Sequence, residues 1–255
     1  MSSRIYLFLQ LVRRDLSLRY AGSFGGIGWA VLGPLLQCGI YALVFSVIVR
    51  IPPPPGFRGH YAEFLLAGLL PWLGFQDALA RSASAVTDHA ELVKKLSFPV
   101  EALVLSALAA ALLLQAASLV VFAGVSAGAG NGTIRLLPLF AGFVLEYLVL
   151  LGPAFAFAAV TVLFRDFSQL LGPFLSVLFY LTPIIYPENL VPPSLAPALS
   201  MNPLRDVVAL FRAGLLGLEA PPAARVAAWA AVSSVLAFFG VVFFVRSRKT
   251  FSDVL

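Results

Sequence analysis

Six apolar stretches, most of them near the length a helix needs to cross a bilayer, constrain this chain more than anything else in it. They run from Trp29 to Val49, Phe64 to Ala80, Ala102 to Gly124, Leu136 to Phe164, Leu170 to Tyr186 and Val226 to Val245. About 20 residues of helix cover ~30 Å of hydrocarbon, and backbone polar groups inside a bilayer must be satisfied within the spanning segment. With 60% hydrophobic and 11% charged residues, a soluble domain of 255 residues would lack the polar surface to stay dispersed. The expectation is an all-α polytopic membrane protein, one domain over residues 1–255, with six transmembrane helices.

The net charge of +5 does not point to nucleic acid, because the basic residues flank the apolar runs and do not interleave with aromatic side chains on a polar face. They act as orientation signals. With the N-terminus in the cytoplasm, that side carries 11 basic residues: Arg4, Arg13, Arg14, Arg19, Arg81, Lys94, Lys95, Arg165, Arg246, Arg248 and Lys249. The opposite side carries 6: Arg50, Arg58, Arg135, Arg205, Arg212 and Arg225. An excess of Lys and Arg marks the cytoplasmic face, so both termini are expected there. No A-x-A-like site closes the first run, which is of full spanning length, so a cleaved signal peptide is not expected. Cys38 is the only cysteine, which excludes an internal disulfide and a thiolate metal cluster.

Three segments outside the runs have their own patterns. At 100° per residue, Arg4 to Tyr20 places Gln10, Arg13, Arg14 and Ser17 on one stripe, with Ile5, Phe8, Leu9, Val12 and Leu16 on a broad apolar face. That is the pattern of a helix lying in the membrane interface, either as a basic anchor or as a binder of anionic headgroups. Asp15 and Arg19 stand at i,i+4 and could pair. Between the second and third runs, Asp88 and Glu91 resemble a capping box, Lys94 and Lys95 suit the other end of a helix dipole, and Pro99 restricts continuation past Phe98. A short cytoplasmic helix is expected, whose Leu92, Val93 and Leu96 could pack on the chain itself, on lipid or on a partner. After Tyr186, six prolines from Pro183 to Pro203 interrupt an apolar region that reaches Leu218. One or two short re-entrant or interfacial helices before the last span are expected there, covered by protein, lining a cavity or resting as a cap on the outer leaflet.

Motifs of chemistry are mostly missing. There is no G-x-x-x-x-G-K-[ST], so ATP phosphates are not held by a P-loop in this chain, and no D-x-D pair or G-x-S-x-G elbow supports a membrane enzyme. His60 and His89 fall on opposite expected sides, and no metal site is expected. Gln37, Glu63, Asp77, Gln115 and Glu146 are the polar residues placed within spans. Glu146 lies about 15 Å along its helix from Leu136, near the midplane. A charge there costs ~2.5–3.5 kcal/mol on insertion scales, so Glu146 should hydrogen-bond a neighbouring helix or border a transport path.

A series of short motifs follows in order: Arg14-Asp15, Arg19-Tyr20, Gly25-Gly26-Ile27-Gly28-Trp29, Pro34-Leu35, Leu69-Leu70-Pro71-Trp72, Leu92 to Pro99, Phe164-Arg165-Asp166, Thr182-Pro183-Ile184-Ile185-Tyr186-Pro187 and Asn202-Pro203-Leu204. With this series the chain resembles the membrane subunits of polysaccharide-exporting ABC transporters, the family serving O-antigen, capsule and teichoic acid. The resemblance implies a homodimer of six-helix subunits in the bacterial cytoplasmic membrane, joined to two separate ATP-binding cassette subunits that hold ATP and magnesium. It makes residues 1–27 the interfacial helix, 28–186 the first five spans, 187–220 a periplasmic gate region and 221–255 the last span and cytoplasmic tail. It assigns ATPase coupling to the loop helix with Asp88, Glu91, Leu92, Val93, Leu96 and Phe98. A lipid-linked glycan would present its diphosphate to Arg13, Arg14 and Arg19, whose forks suit phosphate oxygens. The first and fifth spans would line the channel through Gln37, Tyr41, Phe45, Phe174, Phe179, Tyr180 and Tyr186. An exporter of lipo-oligosaccharide, lipid or drug with the same fold stays open, as does a secondary transporter.

Overall fold

The computed structural model describes residues 3–19, 25–26, 28–57, 59–95, 98–128 and 134–255, and every described element is helical. Helix α1 spans Ser3–Arg19, α2 Gly28–Ala42, α3 Tyr61–Ser84, α4 Ala90–Lys95, α5 Glu101–Gly128 and α6 Leu136–Leu163. Then follow α7 Phe167–Tyr180, α8 Ala196–Ser200, α9 Pro203–Leu216, α10 Ala223–Ser247 and α11 Phe251–Val254. Helix α2 continues as a π-helical stretch, Leu43–Ile48, in which Val49 N–H donates to Val44 O at 2.8 Å. It stops at Arg50, whose φ of 59° is the left-handed conformation that ends helices.

Among the described residues, four helices are long and apolar enough to span a bilayer: α2 with its π extension, α5, α6 and α10. The second and fifth runs depart for different reasons. Helix α3 has 24 residues, so length is sufficient, but it carries Glu63, Asp77 and Arg81. Helix α7 has 14 residues, only ~21 Å of helix. The run read as reaching Tyr186 breaks after Tyr180 because Pro183 has no N–H to donate and disfavours a helical Thr182 before it.

The core is built on α3 and α6. Of α3, the buried face includes Leu65, Leu69, Leu70, Trp72, Phe75 and Leu79, held against α5, α6, α9 and α2. The largest helix–helix interface is α6 against α10. It closes on two glycines: a Cβ at Gly152 would stand 2.7 Å from the Leu236 carbonyl, and one at Gly240 would overlap Gly152 O. Lacking side chains there, the two backbones touch, as small residues allow between membrane helices. Near the chain end, the Phe155, Phe244 and Phe251 rings meet edge to face at 5.2 and 5.4 Å, pinning α11 to α6.

Two expectations about the flanking elements change. In α1 the residues turned into the protein are Leu7, Leu11 and Val12: Leu11 is packed with Ala85, Leu103 and Ala107, while Ile5 and Leu9 are exposed. The helix lies against α5, so part of its apolar surface is used internally and the expected single face is split. The Asp15–Arg19 pairing involves an Arg19 side chain outside the described residues. Asp88 is not an N-cap: it sits inside the 3-10 turn Thr87–His89, accepting the Ser84 hydroxyl at 2.7 Å.

In the proline-punctuated segment, α9 is no surface cap. All but Pro203, Arg205 and Ala209 of its residues are buried, against α3 and α6. Asn202 starts it by accepting Leu204 N–H at 3.0 Å, Pro203 follows at the first turn, and Gly217 ends it at φ 69°, where a side chain would be strained.

Candidate translocation groove

Helices α2 and α3 run antiparallel, and a groove follows their seam. Its wider part, a cavity of about 540 Å³, is lined by Trp29, Gly33 and Gln37 of α2, Gly74, Gln76 and Asp77 of α3, and Gln115 and Ser118 of α5. Its narrower part, about 170 Å³, shares Gln37, Leu73 and Gln76 and continues to Tyr41, Trp72, Phe179 and Tyr180. From Trp29 to Tyr41 the groove follows ~18 Å of helix.

The two parts differ in chemistry. At the narrow end aromatic rings form a collar: Tyr41 stacks on Phe45 at 6.0 Å and meets Phe179 at 6.1 Å, while Phe179 contacts Trp72 at 5.5 Å and Tyr180 at 5.2 Å. Rings at such distances hold one another rigidly and offer apolar faces with polar tips. At the wide end the polar side chains are three amides, one carboxylate, the Ser118 hydroxyl and the Trp29 indole. Trp72 Nε1 donates to Gln76 Oε1 at 3.2 Å, and Arg81 Nε donates to Asp77 Oδ1 at 2.7 Å. Gln115 Nε2 donates to Glu146 Oε2 at 2.6 Å across α5 and α6, the interhelical hydrogen bond that a midplane acid calls for.

Beyond the collar, the end of α7 is clamped. Arg212, buried on α9, donates from Nη1 to Pro183 O at 2.8 Å, from Nη2 to Ile184 O at 2.6 Å and from Nε to Phe64 O at 3.2 Å. Its Cζ stands 3.5 Å over the Phe64 ring, a cation–π contact that helps a guanidinium tolerate burial. Asn202 Nδ2 donates to Thr182 Oγ1 at 2.9 Å and to Leu181 O at 3.2 Å, Tyr61 hydroxyl donates to Ile185 O, and Tyr186 hydroxyl donates to Tyr180 O at 2.8 Å. The Thr182–Pro187 and Asn202–Leu204 motifs are thus two halves of one hydrogen-bonded knot. Outside it, Arg205 pairs with Glu188 at 2.7 Å and Arg225 with Asp206 at 2.8 Å. Burial pushes the Asp206 carboxyl above its ordinary range, and Arg225 pulls it back.

Of the sequence-derived channel residues, Gln37, Tyr41, Phe179 and Tyr180 meet in the groove, Phe45 backs Tyr41, and Tyr186 braces the end of α7. Phe174 is on another face, edge-on to Phe157 at 6.3 Å. At the Arg81 end, Arg14 lines a small cleft with Asp15, Arg81, Asp88 and His89, and Arg13 is exposed. In the loop helix, Glu91 is exposed, Leu92 is half-buried, and Val93 and Phe98 pack on the chain's own core clusters. Leu96 lies outside the described residues. Sequence reasoning passed over Trp29, Gln76, Ser118 and Arg212. The first three had a usable signal, polar tips within or beside apolar runs. Arg212 had none, since it reads as an ordinary outer-side basic residue.

Helices of spanning length around an aromatic and amide groove define a multi-pass membrane protein of the transporter class. Residues 6–216 match the family model described as ABC-2 type transporter. The chain is 31% identical to the O-antigen export system permease protein RfbA of Myxococcus xanthus, over 97% of this chain and 94% of that protein. Two O-antigen export system permease proteins RfbA of Klebsiella pneumoniae are 27% and 26% identical, over 98% of this chain and 93% and 96% of theirs. The chain belongs to the ABC-2 type transporter family. Membership makes it a membrane transport component that works with an ATPase partner.

Proposed function

We propose that this chain is the permease subunit of an ATP-driven exporter that moves a lipid-linked polysaccharide of the O-antigen type across the bacterial cytoplasmic membrane. The observation that carries the reading is the groove, in which a wall of amides at the wide end gives way to a collar of aromatic rings at the narrow end along ~18 Å. Such a wall can hold sugar rings by their faces without fixing them, as a moving polymer requires. The names of the three relatives supply the substrate class.

In this reading two copies and two ATP-binding cassette subunits assemble, and both termini lie in the cytoplasm. Helices α3 and α7 complete a set of six spans, α3 because Asp77 faces the groove and pairs with Arg81 one turn along, α7 because α8 and α9 extend the wall beyond it. Helix α9 acts as a re-entrant gate element, supported by its burial in protein. Arg13, Arg14 and Arg19 receive the lipid diphosphate at the membrane surface, and the segment from Asp88 to Phe98 meets the ATPase. Deleting the gene should leave the glycan inside the cell, and a copy with Tyr41→Ala and Tyr180→Ala should assemble with the ATPase yet export less polymer or polymer of altered length. Surface polymer of normal amount after deletion would overturn the reading.

A further inference from the structure

The segment that follows α10 turns back onto the loop between α3 and α5 and holds it at both flanks. At one flank, Arg248 Nη1 donates to the Oε1 of Glu101, the first residue of α5. At the other, α11 lies against α4 and α6. There Phe251 is fully buried, edge to face with Phe244 at 5.4 Å, and Leu255 packs on the same apolar cluster as Val93 of α4. Helix α4 has six residues, too few to persist on its own hydrogen bonds, so its place is set by what packs against it. The loop helix is thereby tied to α10, a helix of spanning length far from it in the chain.

A cavity of about 380 Å³ opens between the parts so joined. Its wall includes Thr87, Asp88 and Ala90 before and at the start of α4, Arg165 and Ser168 at the α6–α7 turn, and Leu255. Several of its polar groups are already used inside the chain. Thr87 Oγ1 donates to Ser84 O at 2.8 Å, Ser168 Oγ donates to Arg165 O at 2.9 Å, and Asp88 Oδ2 accepts the Ser84 hydroxyl at 2.7 Å. The Arg165 guanidinium differs: it is exposed, with no hydrogen bond or ion pair of its own among the described residues. A carboxylate from another molecule suits it, because the guanidinium fork and a carboxylate match in two parallel hydrogen bonds.

We propose that residues 248–255 position the loop helix for the ATPase subunit and form with it and the α6–α7 turn a single docking surface, whose cavity receives a carboxylate-bearing segment of that subunit at Arg165. The proposal rests on the reading that the segment from Asp88 to Phe98 meets the ATPase, and it adds two elements to which that reading gives no role. The Arg248–Glu101 pair is partly exposed, and such pairs contribute little to overall stability. Its loss therefore displaces the flank of the loop without unfolding the protein.

The test uses the full chain co-expressed with its ATPase subunit and purified in detergent through a tag on the permease. Arg248→Glu and Glu101→Arg should each lower the ATPase subunit retained per permease about fivefold, while the permease keeps its monodisperse peak on gel filtration. The exchanged pair, Glu101→Arg with Arg248→Glu, should return retention to within about twofold of the parent, which a role in binding lipid headgroups would not do. Arg165→Glu should lower retention in the same direction, and adding the exchanged pair should not restore it. Should a charge reversal spoil the monodisperse peak, Arg248→Ala and Arg248→Lys give the same comparison, Ala losing the partner and Lys keeping it. Parental retention in the single variants or in Arg165→Glu, or an exchanged pair no better than the singles, would overturn the proposal. Parental retention in a Leu92→Asp, Leu96→Asp variant would instead remove the loop-helix reading on which it rests.

Discussion

Replacing Arg212 by Met isolates what the buried guanidinium does. Met fills similar length and is apolar, so packing against Phe64 and Val208 is largely kept while every donor is lost. Three carbonyls then lose a partner: Phe64, Pro183 and Ile184. The Phe64 carbonyl lies in α3 and retains its place in the helix ladder, so two acceptors are left bare. A buried acceptor without a partner costs ~1–3 kcal/mol, giving a gross loss of about 2–6 kcal/mol. Against this stands relief from burying a charge, and the guanidinium is 6% exposed with no acid bonded to it among the described residues. Breaking one side of a buried charged interaction is usually the larger effect, so a net loss of about 2–4 kcal/mol is expected. For a chain of this size that is a fall in Tm of roughly 5–15 °C. Thermal unfolding of the purified protein in detergent, followed by the monodisperse fraction on gel filtration, measures it. Arg212→Lys should fall between, because one ammonium cannot satisfy carbonyls on two elements in the fixed fork of an arginine. A Met variant that melts within about 2 °C of the parent would refute the clamp.

Gly240→Leu should separate α6 from α10, because the backbones touch at Gly152 and nothing can move aside; the variant should express poorly and lose its monodisperse peak, while Gly124→Leu, with open space at its Cβ, should behave as the parent. Leu92→Asp with Leu96→Asp should insert normally but fail to co-purify with the ATPase subunit, since burying each leucine in a partner groove contributes ~1.5–3 kcal/mol before ordering costs; normal co-purification and transport would remove the coupling assignment. For orientation, a Cys38→Ser parent carrying Ser3→Cys, Ser97→Cys or Ser252→Cys should react with an impermeant thiol reagent only from the cytoplasm. The same parent with Gly59→Cys, Gly130→Cys or Ser194→Cys should react only from outside, and cytoplasmic labelling at position 194 would break the topology.

Much of this protein is determined locally, and that part was legible in its sequence. The apolar runs became helices α2, α5, α6 and α10 at close to the expected bounds, because in a bilayer a continuous apolar segment has helix as its own solution to backbone hydrogen bonding. The ring-bearing positions Tyr41, Phe179 and Tyr180 were nominated on another ground, the family resemblance that puts the first and fifth spans along the channel. What tertiary structure alone decided are the long-range pairings. Gln115 with Glu146, Gly152 with Gly240, and Arg212 with the carbonyls of Pro183 and Ile184 each join helices far apart in the chain, and one-dimensional periodicity holds no information about which helix a polar tip will face. The same limit explains α1, whose apolar residues were evident but whose division between Leu11 facing inward and Leu9 facing outward depends on where α5 lies. It also explains why α3, whose polar residues lower its hydropathy, is nonetheless the centre of the core: its neighbours cover it, and hydropathy measures only the segment itself.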